Sequence, residues 1–66
     1  YDAFDRNVQH FVRKSMELTK RDYGDQTLGY AVLCTNLAAA LKAQDRLDEA
    51  AEYLSKASTI KERIGN

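Results

Sequence analysis

Residues 31–64 read AVLCTNLAAALKAQDRLDEAAEYLSKASTIKERI, and the fold turns on this stretch. It holds neither proline nor glycine, and Ala, Leu, Lys, Glu, Arg and Gln make up most of it. These side chains lose little freedom in a helix. Large or small apolar residues recur every three or four positions, through Leu37 and Leu41 and again through Ala50, Tyr53, Leu54, Ala57, Ile60 and Ile64. That spacing is one helical face. Gln44-Asp45-Arg46 interrupts it. The stretch therefore predicts two helices, one over about Thr27–Gln44 and one over about Leu47–Ile64. Asp45 followed by Asp48 resembles a capping box with an acid in place of Glu, and Gly65-Asn66 closes the second helix.

The helix over 27–44 is apolar on most sides, with Leu28, Tyr30, Val32, Leu33, Cys34, Leu37 and Leu41 among many alanines. A helix of that kind packs on two sides. Ahead of it, Phe4, Val8, Phe11, Val12, Ser15 and Leu18 share a face and predict a further helix over about Asp2–Asp22. Tyr23-Gly24-Asp25 ends it, with Gly24 suited to the left-handed residue that follows a helix. Lys20 and Arg21 complement the dipole of its last turn. Asp25 or Thr27 then caps the next helix. β-branched residues never alternate with polar ones over a strand length, so the expected class is all-α. The links are short, which makes neighbouring helices antiparallel. Two architectures satisfy these constraints, a closed three-helix bundle and a slice of a solenoid.

The first and third helices match at an offset of 42 residues. Val8 falls on Ala50, Phe11 on Tyr53, Val12 on Leu54, Lys14 on Lys56, Ser15 on Ala57, Leu18 on Ile60 and Arg21 on Arg63; after a one-residue slip, Tyr23-Gly24-Asp25 falls on Ile64-Gly65-Asn66. Within 31–64, the order Asn36-Leu37-Ala38, Leu41, Leu47-Asp48-Glu49-Ala50-Ala51, Tyr53-Leu54, Lys56-Ala57 and Ile60 resembles the tetratricopeptide repeat. The resemblance implies close helix crossing at Ala38 and Ala57, a second helix seated through Ala50, and filling by Leu37, Leu41, Tyr53 and Leu54. Cys34 stands where the family often has Trp or another large residue. Ala38 and Asp45 stand where it often has Gly, and no proline ends the repeat. The 42-residue spacing looks like the longer repeats of kinesin light chains. On this reading residues 1–66 are a single unit of about one and a half repeats in a right-handed α-solenoid. Residues 1–24 would be the second helix of a preceding repeat, and 27–64 one full helix-turn-helix repeat.

Ten basic and ten acidic residues balance to zero charge. Nucleic-acid binding normally leaves a basic excess, and docking on an anionic membrane needs one too. No apolar run approaches the ~20 residues that span a bilayer. The expected partners therefore include neither nucleic acid nor membrane. Cys34 is the single cysteine, which removes any intramolecular disulfide and fits a reducing, cytoplasmic setting. The chain opens on Tyr1 with no initiator Met and no signal-peptide pattern, which suggests an excised fragment and leaves room for targeting signals outside it.

No residue pattern carries catalysis, and no enzyme activity, metal or cofactor is expected. His10 has Arg6, Asn7, Arg13 and Lys14 at helical spacing and no carboxylate to orient it as a base. Cys34 has Tyr30, Ala31, Leu37 and Ala38 there, and no cation to lower its pKa. The acids Asp22, Asp25, Asp45, Asp48, Glu49 and Glu52 lack the alternation and central Gly of a calcium loop. Phosphate-loop, nucleophile-elbow and metalloprotease patterns are absent from the sequence.

The resemblance points instead to a protein-interaction scaffold that binds a peptide or helix of another protein. In peptide-binding members of the family, an Asn ahead of the Leu-Ala of the first helix faces the concave groove, which makes Asn36 the principal groove residue. Its amide can both donate and accept. Val32, Thr35, Ala39, Lys42 and Ala43 share its helix face. Two rival expectations stand beside this one. The outer face of the third helix, with Ala51, Leu54, Ser55, Ser58 and Thr59, would dock a further repeat or a second copy as a homo-oligomer. Alternatively the segment regulates a catalytic or signalling domain of the same protein.

Overall fold

The computed structural model describes the backbone of residues 2–65 and the side chains of residues 7–65. Three helices follow one another, α1 (Asp2–Tyr23), α2 (Leu28–Ala43) and α3 (Leu47–Gly65), with no strand among the described residues. Each boundary has a local cause. Gly24 adopts φ 94°, and its N–H donates to the carbonyls of Thr19 and Lys20, both at 3.0 Å. That is the left-handed stop expected of Gly24. Thr27 begins α2: its extended backbone precedes the helix, and its hydroxyl oxygen accepts from the N–H of Tyr30 at 3.3 Å. Of the two candidate caps, the structure thus selects Thr27 over Asp25.

The turn between α2 and α3 corrects one expectation. Asp45 does not cap α3. It takes φ 62° and ends α2, with its N–H donating to the Lys42 carbonyl at 3.0 Å and the Arg46 N–H to the Leu41 carbonyl at 2.9 Å. This bond pair is a Schellman ending with Asp in the glycine position. A residue in the left-handed region cannot also adopt the extended geometry of an N-cap. Arg46 takes over the start of α3. Its carbonyl accepts from the Ala50 N–H at 3.1 Å, and its guanidinium donates to Glu49 at 2.7 and 2.9 Å.

The core lies along α2. Ala31, Cys34, Leu37, Ala38 and Leu41 are fully or almost fully buried. From α3, Ala50, Ala57 and Ile60 pack onto them, and from α1, Val12 and Met16. Val8, Tyr30, Leu33 and Tyr53 cover its margins. The small residues Ala38, Ala50 and Ala57 are all buried in this core. α2 packs against both neighbours, whereas no Cα of α1 comes within 8 Å of one in α3 among the described residues. Those two helices meet through side chains, as where Arg13 Nη1 donates to the Tyr53 hydroxyl at 3.4 Å. The extents are 38 × 23 × 12 Å, so the helices form one layer about one helix diameter thick.

A single layer explains where the expected apolar faces were drawn too wide. Phe11 is 71% exposed, and Leu18 also faces solvent, while Met16, outside the predicted set, is buried. The stripe that meets α2 runs Val8–Val12–Met16, a line of i, i+4 steps, and Phe11 and Leu18 flank it. On α3, Leu54 is 47% exposed, and Ile64 is similarly open. α2 covers α3 from one side only, so the stripe narrows to Ala50, Ala57 and Ile60. Phe4 lies outside the residues whose side chains are described.

Candidate functional site

The α2 residues turned away from α1 and α3 form one continuous surface. Val32, Asn36, Ala39 and Ala43 follow at steps of four, three and four, which places them on one line along the helix. All four are exposed. Thr35 and Lys42, seven residues apart, lie on one margin of that line, Thr35 half-buried and Lys42 exposed. The structure thus brings together on one face the six residues singled out from the sequence.

Their availability differs. The Thr35 hydroxyl donates to the carbonyl of Ala31 at 3.1 Å, which occupies its proton within the helix. The ammonium of Lys42 takes part in none of the ion pairs found among the described residues. Val32 offers a branched apolar side chain that is 47% exposed. Leu28, one turn before Val32, is 57% exposed and extends the same stripe. Sequence reasoning had counted Leu28 with the apolar content of a helix packed on two sides. Its position, four residues before Val32 and thus on the same line, is the signal that assigns it to this face.

The surface can therefore supply apolar contact at Leu28 and Val32 and close approach at Ala39 and Ala43. An amide at Asn36 and a cation at Lys42 add polar recognition. None of these groups makes or breaks covalent bonds at neutral pH without an activating neighbour.

Elsewhere, chemistry-bearing side chains have structural settings. His10 is exposed. Cys34 is fully buried, and burial pushes its thiol pKa up; Lys56 pulls the other way and loses. Burial also raises the Tyr30 pKa, with further contributions from Cys34, Asp25 and Tyr53. Among the described residues no group of three or more His, Cys, Asp or Glu side chains is placed to hold a metal ion. No helix of the described residues is long and apolar enough to cross a membrane. Comparison of the chain with protein-family models, curated proteins and solved structures gave no match.

Proposed function

We propose that this chain is a tetratricopeptide-like segment that holds a peptide or helix of another protein against the exposed face of α2. The observation carrying this reading is that Val32, Asn36, Ala39, Lys42 and Ala43 share one solvent-facing surface, continued by Leu28. The rest of the helix is occupied by core packing, so this surface is what α2 has left for a partner. Apolar contact would provide affinity, and Asn36 and Lys42 would fix orientation. Burial of Ala38, Ala50 and Ala57 at the helix contacts, and the order of α1, α2 and α3 in one layer, also support the repeat reading.

Affinity capture from cell extract with wild type and Ala39→Glu tests it, with partners identified by mass spectrometry. Ala39 is exposed mid-helix, so Glu there keeps the helix while adding bulk and charge to the face. Circular dichroism checks that the fold survives. The expected result is that specific partners disappear with Ala39→Glu. Retention of the same partners would refute the α2 reading.

A second reading, stacking or self-association through α3, is favoured by a separate observation. The α1 line that packs on α2, Val8–Val12–Met16, corresponds at the 42-residue offset to Ala50–Leu54–Ser58. Val12 is buried, but Leu54 and Ser58 are exposed. Ala50 of that line is already buried in the core, so Leu54 and Ser58 are the part of it that a further helix would cover. Leu47 and Ala51 extend it.

A further inference from the structure

On the side of the layer away from the α2 face, α1 and α3 border a cleft of about 350 Å³ with Tyr30 in its lining. Lys20 of α1 and Lys56 and Arg63 of α3 are among the residues that line it. Asp25 is the one acid of its lining and lies within ion-pair distance of none of the three; the ion pairs among the described residues are Lys14–Glu17, Arg21–Asp22 and Arg46–Glu49. The chain as a whole is neutral. Its cleft nonetheless carries a local excess of two positive charges. A recess whose lining carries a net positive charge favours an anion.

The donors are partly oriented. Arg63 Nη1 donates to Gln26 Oε1 at 3.0 Å, which anchors one arm of the guanidinium and leaves the others free. The Lys56 ammonium lies 5.1 Å from the centre of the ring of Tyr53, a residue outside the cleft lining, and an anion would have to draw it from that ring. Tyr30, Ser55 and Thr59, which carry hydroxyl groups, also line the cleft.

We infer that the α1–α3 cleft binds a phosphoryl monoester, with Lys20, Lys56 and Arg63 neutralising the dianion and nearby hydroxyls donating to its oxygens. A phosphate monoester carries about −1.5 to −2 charge at neutral pH and three strong acceptor oxygens. That charge matches the excess in the cleft, whereas one carboxylate leaves half of it uncompensated. The guanidinium fork suits paired phosphoryl oxygens, and the two ammonium groups act as point charges. This inference concerns the opposite face from the α2 surface and stands independently of what that surface holds.

Amide-resolved NMR titration of the full chain tests it. The probes are O-phosphoserine and inorganic phosphate, with serine and succinate as controls, at ionic strength held constant with sodium chloride. The expected result is saturable shifts at the cleft backbone, residues 25–30 and 59–63, with both phosphoryl probes and none with serine. Tighter binding of O-phosphoserine supports an esterified ligand, and tighter binding of inorganic phosphate overturns the monoester in favour of the free anion. Equal binding of succinate, or shifts that never saturate, overturns the inference in favour of general screening. Arg63→Gln should weaken binding at least about tenfold, the effect of losing one charged hydrogen bond. Lys61→Gln removes the same charge outside the cleft and should bind like wild type; equal weakening by the two variants also overturns the inference. Should Arg63→Gln lose helicity by circular dichroism, Lys20→Gln, which breaks no observed bond, provides the same reading.

Discussion

Cys34 shows how a single side chain reports the packing of all three helices. Its thiol is fully buried, and burial raises its pKa despite the opposing pull of Lys56. An acid group with a raised folded pKa favours the folded state in its protonated form. Its contribution is therefore complete below the unfolded pKa of about 8.5 and declines as pH rises from there through the folded pKa. The raised Tyr30 pKa acts in the same direction, beginning near its unfolded value of about 10. Urea midpoints measured from pH 7 to pH 10 should accordingly fall above about pH 8.5. Cys34→Ala should be less stable at neutral pH but show a shallower decline between pH 8.5 and 10. Identical slopes for the two proteins would refute the assignment. The burial itself was legible in the sequence, because Tyr30, Ala31, Leu37 and Ala38 surround Cys34 at helical spacing. The influence of Lys56 was not, since it belongs to the next helix and reaches Cys34 only through tertiary packing.

At the scale of the elements, the helices were legible to within a residue or two, because both turns contain recognisable stop signals. What the linear pattern did not settle was which helix each turn residue serves. Asp45 reads naturally as a cap for α3, yet its φ of 62° assigns it to the end of α2. The alternatives are exclusive, since a left-handed ending and an extended cap need different backbone angles. The consequence can be measured. A Cβ in the left-handed region is strained, although Asp tolerates it better than most residues. Asp45→Gly should relieve that strain and raise stability by about 0.5 kcal/mol, after allowing for the freer unfolded chain that glycine gives. The expected readout is a higher urea midpoint with unchanged helicity. A lower midpoint would mean that the Asp45 side chain contributes an interaction that outweighs the strain. Thr27 is the contrasting case: its hydroxyl bonds to both sides of the first turn, accepting from Tyr30 and donating to the Gly24 carbonyl at 3.3 Å, and the sequence had already named it as a cap.

For the whole molecule, periodicity identified helices that have an apolar side but could not state how many neighbours cover it. That limit produced the errors at Phe11, Leu18, Leu54 and Ile64, which look like core in a window of sequence and face solvent in a single layer. Helical spacing grouped Val32, Asn36, Ala39 and Ala43 on one side of α2, and they are exposed because α2 is packed from two other directions; that a partner binds there is the proposal above. Leu54 discriminates between the surfaces. In an isolated chain it is 47% exposed, so Leu54→Glu should change stability by no more than about 0.5 kcal/mol. Leu37→Ala, at a fully buried site, should cost about 2–5 kcal/mol. If α3 stacks on a second copy, wild type should show a mass that rises with concentration in analytical ultracentrifugation, and Leu54→Glu should remain monomeric. A wild-type mass independent of concentration at the monomer value would remove self-association through α3 and leave the α2 face as the surface for a different protein. A dimer that persists in Leu54→Glu would place the contact elsewhere, and the exposed Phe11 and Leu18 of α1 would then be the surface to test.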